Sequence, residues 1–139
     1  MIKLVIDANI LFAALIKKST TADLLITGDF KLYAPEFLLI EFQKYEALIL
    51  KKTHRSQKEF NQFLTLLKRK IKIIPRKKIT PFLEKAKKIS PDPKDIVYLA
   101  LALAIDAKIW SNDKRLKEKQ QKIAVLTTIE ILKLVNRNT

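Results

Sequence analysis

Five short runs of strand-forming residues alternate with helix-like patterns along the whole chain, and that order leaves few folds open. Ile2–Ile6 reads as a buried strand from its unbroken apolar, mostly β-branched content, and residues 31–34, Ile71–Ile74, residues 108–111 and residues 124–126 read as four more. Helical patterns fill the gaps. Residues 9–16 and Thr20–Thr27 form a pair closed by the turn signal Gly28-Asp29, and Pro35 opens a long helix to about residue 51. Ser56 and Glu59 make a capping-box pattern for a helix to about residue 70, and Thr127 with Glu130 does the same for the last helix. Residues 81–89 read as a short basic helix, Asp92-Pro93 starts an apolar one to about residue 104, and residues 114–121 make a charged one. Such an order predicts an α/β domain: a central parallel β-sheet of about five strands with helices on both faces, a three-layer α/β/α arrangement. No composition break or repeat interrupts it, so residues 1–135 are expected to form one domain, with residues 136–139 a short C-terminal tail.

Scarcity of certain residue types removes whole classes of chemistry. Gly28 is the only glycine, so neither a dinucleotide fingerprint nor a P-loop can be built. There is no cysteine and a single histidine, His54, which excludes thiolate and histidine-cluster metal sites. His54 falls in a polar loop and is expected at the surface. Any bound metal must be held by oxygen, as magnesium and manganese are. The 28 basic residues outnumber the 14 acidic ones, and a net charge of +14 points to a polyanionic partner. The longest apolar run, Ile96–Ile105, is far below the ~20 residues of a membrane span. The N-terminus opens on a strand without a signal-peptide pattern. A cytoplasmic protein without membrane contact is therefore expected. Abundant Lys and Ile with no Cys suggests a thermophile.

With so few acids, their positions matter. In a parallel sheet the binding crevice lies beyond the carboxyl ends of the strands. Asp7 follows the first strand directly and Asp113 follows the fourth, which places both at that crevice. Glu41 is flanked at helical spacing by Phe37, Leu38, Tyr45 and Leu48, so it falls on or beside an apolar stripe. Asp95 opens a helix that is apolar nearly all round, with Tyr98, Leu99 and Ala102 following. Each acid has a structural alternative: helix capping for Asp7, Asp95 and Asp113, and an edge ion pair for Glu41. Asp92, with Pro93 after it, suits an N-cap. Together, unpaired carboxylates in one pocket repel one another, and a divalent cation relieves that repulsion.

Four segments resemble the motifs of the PIN-domain family: Val5 through Leu11 with Asp7 and Asn9, Pro35 through Phe42 with Glu41, Asp92 through Ala102 with Asp95, and Trp110 through Asp113. Their order and spacing match from Asp7 to Asp113, and the predicted elements cover almost the whole chain. The resemblance implies a magnesium- or manganese-dependent endoribonuclease that leaves a 3′-hydroxyl and a 5′-phosphate. Family members are usually homodimers, and many small ones are VapC-like toxins with an antitoxin partner. Asp7, Glu41, Asp95 and Asp113 are then the metal-binding and catalytic set. Asn9, Ser111 and Asn112, with Asp92 as a further ligand or a cap, are expected to orient ligands or bind phosphate.

Residues 68–78 hold seven basic residues in eleven positions: Lys68, Arg69, Lys70, Lys72, Arg76, Lys77 and Lys78. These, with Lys114 and Arg115, are expected to contact RNA phosphates, although solvated lysines along a strand are the plain alternative. The aromatic residues sit in apolar patterns, so no base-stacking platform is expected. Two other functions compete. One is a non-catalytic PIN-like module that binds RNA or protein. The other is a phosphohydrolase using Asp7 as nucleophile, in the manner of haloacid-dehalogenase-like enzymes, which usually carry a second Asp where this chain has Asn9.

Overall fold

The structure, a computed structural model describing residues 1–16 and 20–137, is built on a five-stranded sheet in which every paired neighbour is parallel. The strands are β1 (Ile2–Ile6), β2 (Phe30–Pro35), β3 (Ile71–Ile74), β4 (Lys108–Trp110) and β5 (Val125–Leu126), in the spatial order β3-β2-β1-β4-β5. Chain order runs outward from β1 to one side, then crosses to the other. The switch point lies between β1 and β4, where Leu4, Val5 and Ile6 pair with Lys108, Ile109 and Trp110. At such a point the connections diverge and leave a crevice at the carboxyl ends.

Strand alternation sends side chains to two separate cores. Leu4, Ile6, Leu32, Ala34, Ile71 and Trp110 face one layer. It contains α1 (Ala8–Ile16), α2 (Thr20–Thr27), α3 (Glu36–Lys44), α4 (Glu46–Thr53), α5 (Gln57–Lys70) and α10 (Thr128–Arg137). Val5, Ile109 and Val125 face the other, with α6 (Arg76–Ile79), α7 (Leu83–Ile89), α8 (Ile96–Ile105) and α9 (Lys114–Lys119). Apolar runs without a polar face are the mark of strands covered on both sides. α8, apolar all round, is accordingly buried from Tyr98 through Ala102.

Capping chemistry places the helix ends. Ser56 and Glu59 form the capping box of α5. Thr127 and Glu130 bond each other reciprocally at the start of α10, where Lys117 also pairs with Glu130 and ties α9 to that turn. Gly28 does not adopt a left-handed turn; it is needed for closeness. A Cβ there would collide with the Leu24 carbonyl oxygen and with the Phe30 ring.

Three boundaries differ from expectation. The helix predicted from Pro35 to about residue 51 is two helices bent at Tyr45, whose backbone (φ −104°, ψ 10°) leaves helical geometry while its amide still bonds the Glu41 carbonyl. Pro35 itself ends β2 and precedes the first turn. The basic helix near residue 81 begins earlier, as α6 and a 3₁₀ turn over Thr80–Phe82, because the proline fits the first positions of that turn. Asn136 and Arg137, expected in a tail, belong to α10, and residues 138–139 lie outside the described residues.

Candidate active site

Asp7 stands at the carboxyl end of the central strand. Its amide bonds the Trp110 carbonyl at 3.2 Å and so extends the ladder one residue beyond β1. Its carboxylate is held on two sides: Oδ2 accepts from the Ser111 hydroxyl at 2.7 Å, and Oδ1 lies 3.5 Å from the Asn9 amide. The fully buried Ser111 hydroxyl also accepts from the Asp113 amide at 3.1 Å. One side chain thus joins the loops that follow β1 and β4. Asp113 caps α9, its Oδ1 accepting from the Arg115 and Leu116 amides. That capping and a place in the cleft are compatible, because capping uses a single carboxylate oxygen.

Asp95 ends the 3₁₀ turn Pro93–Asp95 and is 6% exposed. Asp7, Glu41, Asp95 and Asp113 all line one cleft of about 480 Å³, together with Ala8, Asn9, Lys52, Lys94 and Tyr98. Asp7, Asp95 and Asp113 share a field. Burial and then the charges of Asp113, Asp7 and Asp92 raise the Asp95 pKa to about 6, against the pull of Lys94. Burial raises that of Asp7 too, with Asp113 adding to it, while the bonds from Ser111 and Asn9 oppose the shift. Glu41 lines the same cleft and is felt by Tyr98, whose ionisation is pushed up by burial and by Asp7, Glu41 and Asp95.

None of the four acids is in an ion pair among the described residues. Their donor set is all oxygen, and their mutual repulsion calls for a positive charge between them, so they fit a hard divalent cation. The cleft is open: among the described residues no three acids are drawn tightly enough to enclose one ion.

The other expected site residues divide. Asn9 and Ser111 belong to the cleft or to its support. Asp92 does not line it; its side chain accepts from the Lys94 amide at 3.0 Å and caps the 3₁₀ turn. Asn112, expected to orient a ligand or phosphate, instead bonds Thr128 with both ends of its amide and fixes the start of α10. The basic run over residues 68–78 is split by β3. Lys68, Arg69 and Lys70 end α5 at the amino edge of the sheet, whereas Arg76, Lys77 and Lys78 follow β3 at the carboxyl edge, the side of the cleft. Lys72 is exposed on the edge strand, and Lys114 and Arg115 are exposed just after Asp113.

Sequence reasoning missed Lys52, Lys94 and Tyr98. Their signals were present: Lys94 lies between two acids of one motif, Tyr98 follows Asp95 by three positions, and Lys52 continues the stripe of Tyr45 and Leu48. That stripe also corrects the argument for Glu41. Its buried neighbours are Leu38 and Phe42, while Phe37, Tyr45 and Leu48 remain 41%, 37% and 48% exposed and line the cleft. Phe37 and Tyr45 thus line the cleft as partly exposed aromatic side chains, where no platform was expected.

Fold and site together define a parallel α/β domain with an acidic cleft at its switch point. The family model for the PIN domain matches residues 5–133, and the chain belongs to that family. Among solved structures it is similar to a chain of VapBC2 from Rickettsia felis bound to a DNA fragment from the promoter, at 20% identity and a TM-score of 0.65, covering 91% of this chain and 98% of that one. None of the curated proteins matches. Among the described residues no helix is long and apolar enough to cross a membrane.

Proposed function

We propose that this PIN domain is a divalent-metal-dependent endoribonuclease. One observation carries the reading: four acids from four separate chain segments line a single cleft without an ion pair to satisfy them. Asp7, Glu41, Asp95 and Asp113 would hold the cation directly or through its waters, since magnesium usually keeps several of them. A bound magnesium or manganese ion supplies charge neutralisation at the phosphate and a more acidic water. The chain's own residues do the rest. Ser111 fixes the Asp7 carboxylate, and the cap bonds of Asp113 leave its second oxygen for the cleft. Lys52 and Lys94 bring positive charge to the rim, where phosphates pass. Arg76, Lys77 and Lys78 extend it along the carboxyl edge, while Phe37 and Tyr45 offer flat apolar surface to bases.

In the fuller form of this reading the chain acts in the cytoplasm as a homodimer and as the toxin of a toxin–antitoxin pair. The family resemblance and the likeness to the VapBC2 complex support that role.

The test is cleavage of a mixed-sequence RNA in magnesium or manganese. Cleavage is expected to stop on chelation and in Asp7→Asn. If wild type and Asp7→Asn behave alike, the enzyme reading fails and the chain is a binding module. Turnover of a small phosphoester without RNA cleavage would instead favour the phosphohydrolase.

A further inference from the structure

Among the described residues, the hydroxyl of Tyr98 is the one fully buried side-chain polar atom without a hydrogen-bond partner. Tyr98 is 5% exposed and lines the acidic cleft with Asp7, Glu41 and Asp95. Its ring packs in the core beneath the sheet, in the cluster that holds Leu99, Ile109 and Val5. A phenylalanine ring would serve that packing equally well. The hydroxyl is therefore an addition that costs the empty protein stability, since buried donors are almost always paired.

Its surroundings say what it lacks. Three carboxylates are near enough to oppose its ionisation, yet none accepts its proton. The Ala8 amide acts on the same oxygen in the opposite sense, but an amide N–H donates and cannot take the hydroxyl proton. The hydroxyl stays a neutral donor, and its missing acceptor has to come with a group that enters the cleft and shifts the side chains now covering the oxygen. A cleft whose acids are neutralised by a cation draws an anionic oxygen to the same place. A neutral donor on the floor can bond that oxygen without adding to the charge the acids must balance.

Resting on the nuclease reading above, we propose that the Tyr98 hydroxyl donates a hydrogen bond to a non-bridging oxygen of the RNA phosphate held in the cleft. Tyr98 is thus a substrate-binding residue, distinct in role from the four acids, and it reads the phosphate rather than the base.

Tyr98→Phe removes the hydroxyl alone. In the metal-free protein its Tm is expected to stay close to that of wild type, because the hydroxyl proton has no acceptor to lose; a clear fall would reveal a structural acceptor and overturn the proposal. With manganese present, inorganic phosphate is expected to raise the Tm of wild type more than that of Tyr98→Phe, and RNA cleavage is expected to fall roughly ten- to a hundredfold, the range for one hydrogen bond to a charged group. If Tyr98→Phe cleaves RNA and responds to phosphate as wild type does, a cleft water satisfies the hydroxyl; the proposal then falls while the nuclease reading stands. If wild type cleaves no RNA, the nuclease reading fails, and the phosphate-induced shift still decides whether the hydroxyl binds phosphate.

Discussion

The Ser111 hydroxyl donates to Asp7 Oδ2 at 2.7 Å and accepts from the Asp113 amide at 3.1 Å, so a single buried atom sets the distance between two acids 106 residues apart in sequence. Ser111→Ala frees the Asp7 carboxylate and leaves the Asp113 amide unpaired. Losing such a supporting bond typically lowers metal affinity or activity by about 10–100-fold. The expected result is a weaker manganese requirement curve, shifted to higher concentration, with a maximal rate closer to wild type. An unchanged manganese midpoint would show that Asp7 holds its place without help.

Asp95 gives a stability prediction with a definite sign. Its pKa is raised from 3.8 to about 6, so the folded protein disfavours its charge. The penalty is absent below pH 3.8, grows as pH rises toward 6, and is complete above 6. Asp95→Asn should therefore raise the Tm of the metal-free protein at pH 7, by roughly 2–5 °C, and give no advantage at pH 4. It should also abolish RNA cleavage and the stabilisation that manganese gives to wild type. Thermal unfolding at the two pH values, with and without manganese, reads all of this.

The placement of charge predicts which lysines hold RNA. Each phosphate that a side chain no longer neutralises lowers the salt dependence of binding to single strands by about 0.7 in the log–log slope. Lys52→Gln with Lys94→Gln should flatten that slope by about 1.4 if both touch phosphates. Lys68→Gln with Arg69→Gln makes the same change in net charge at the opposite edge of the sheet and should flatten it by less than half as much. Fluorescence titrations of an RNA oligonucleotide across salt concentrations, with the metal chelated, make the comparison.

Gly28 tests the fold apart from the site. An added methyl group would collide with the Leu24 carbonyl and the Phe30 ring, and overpacking of this kind costs roughly 1–3 kcal/mol. Gly28→Ala should lower the urea midpoint accordingly. Because Gly28 precedes β2, at the amino ends of the strands and away from the cleft, cleavage per folded molecule should be unchanged. Wild-type stability in Gly28→Ala would mean that α2 and the Phe30 ring shift without cost.

The sequence alone determined the parallel α/β layout, because strand and helix periodicities are local and the apolar strands need cover on both faces. It also located Asp7 and Asp113, since Asp7 directly follows one strand, Asp113 lies a few residues past another, and a parallel sheet gathers its carboxyl ends on one side. The capping box at Ser56 was legible for the same reason: it joins near neighbours in the chain. Only the tertiary structure decided what depends on distant segments meeting. The turn of Asn112 toward Thr128, the bond from the Lys94 amide to Asp92, and the splitting of the basic run by β3 were not legible from local pattern. Glu41 shows the difference most clearly. Helical spacing placed it beside Phe37, Tyr45 and Leu48, but spacing cannot say whether a stripe meets a core or stays open, and here it forms an exposed wall of the acidic cleft.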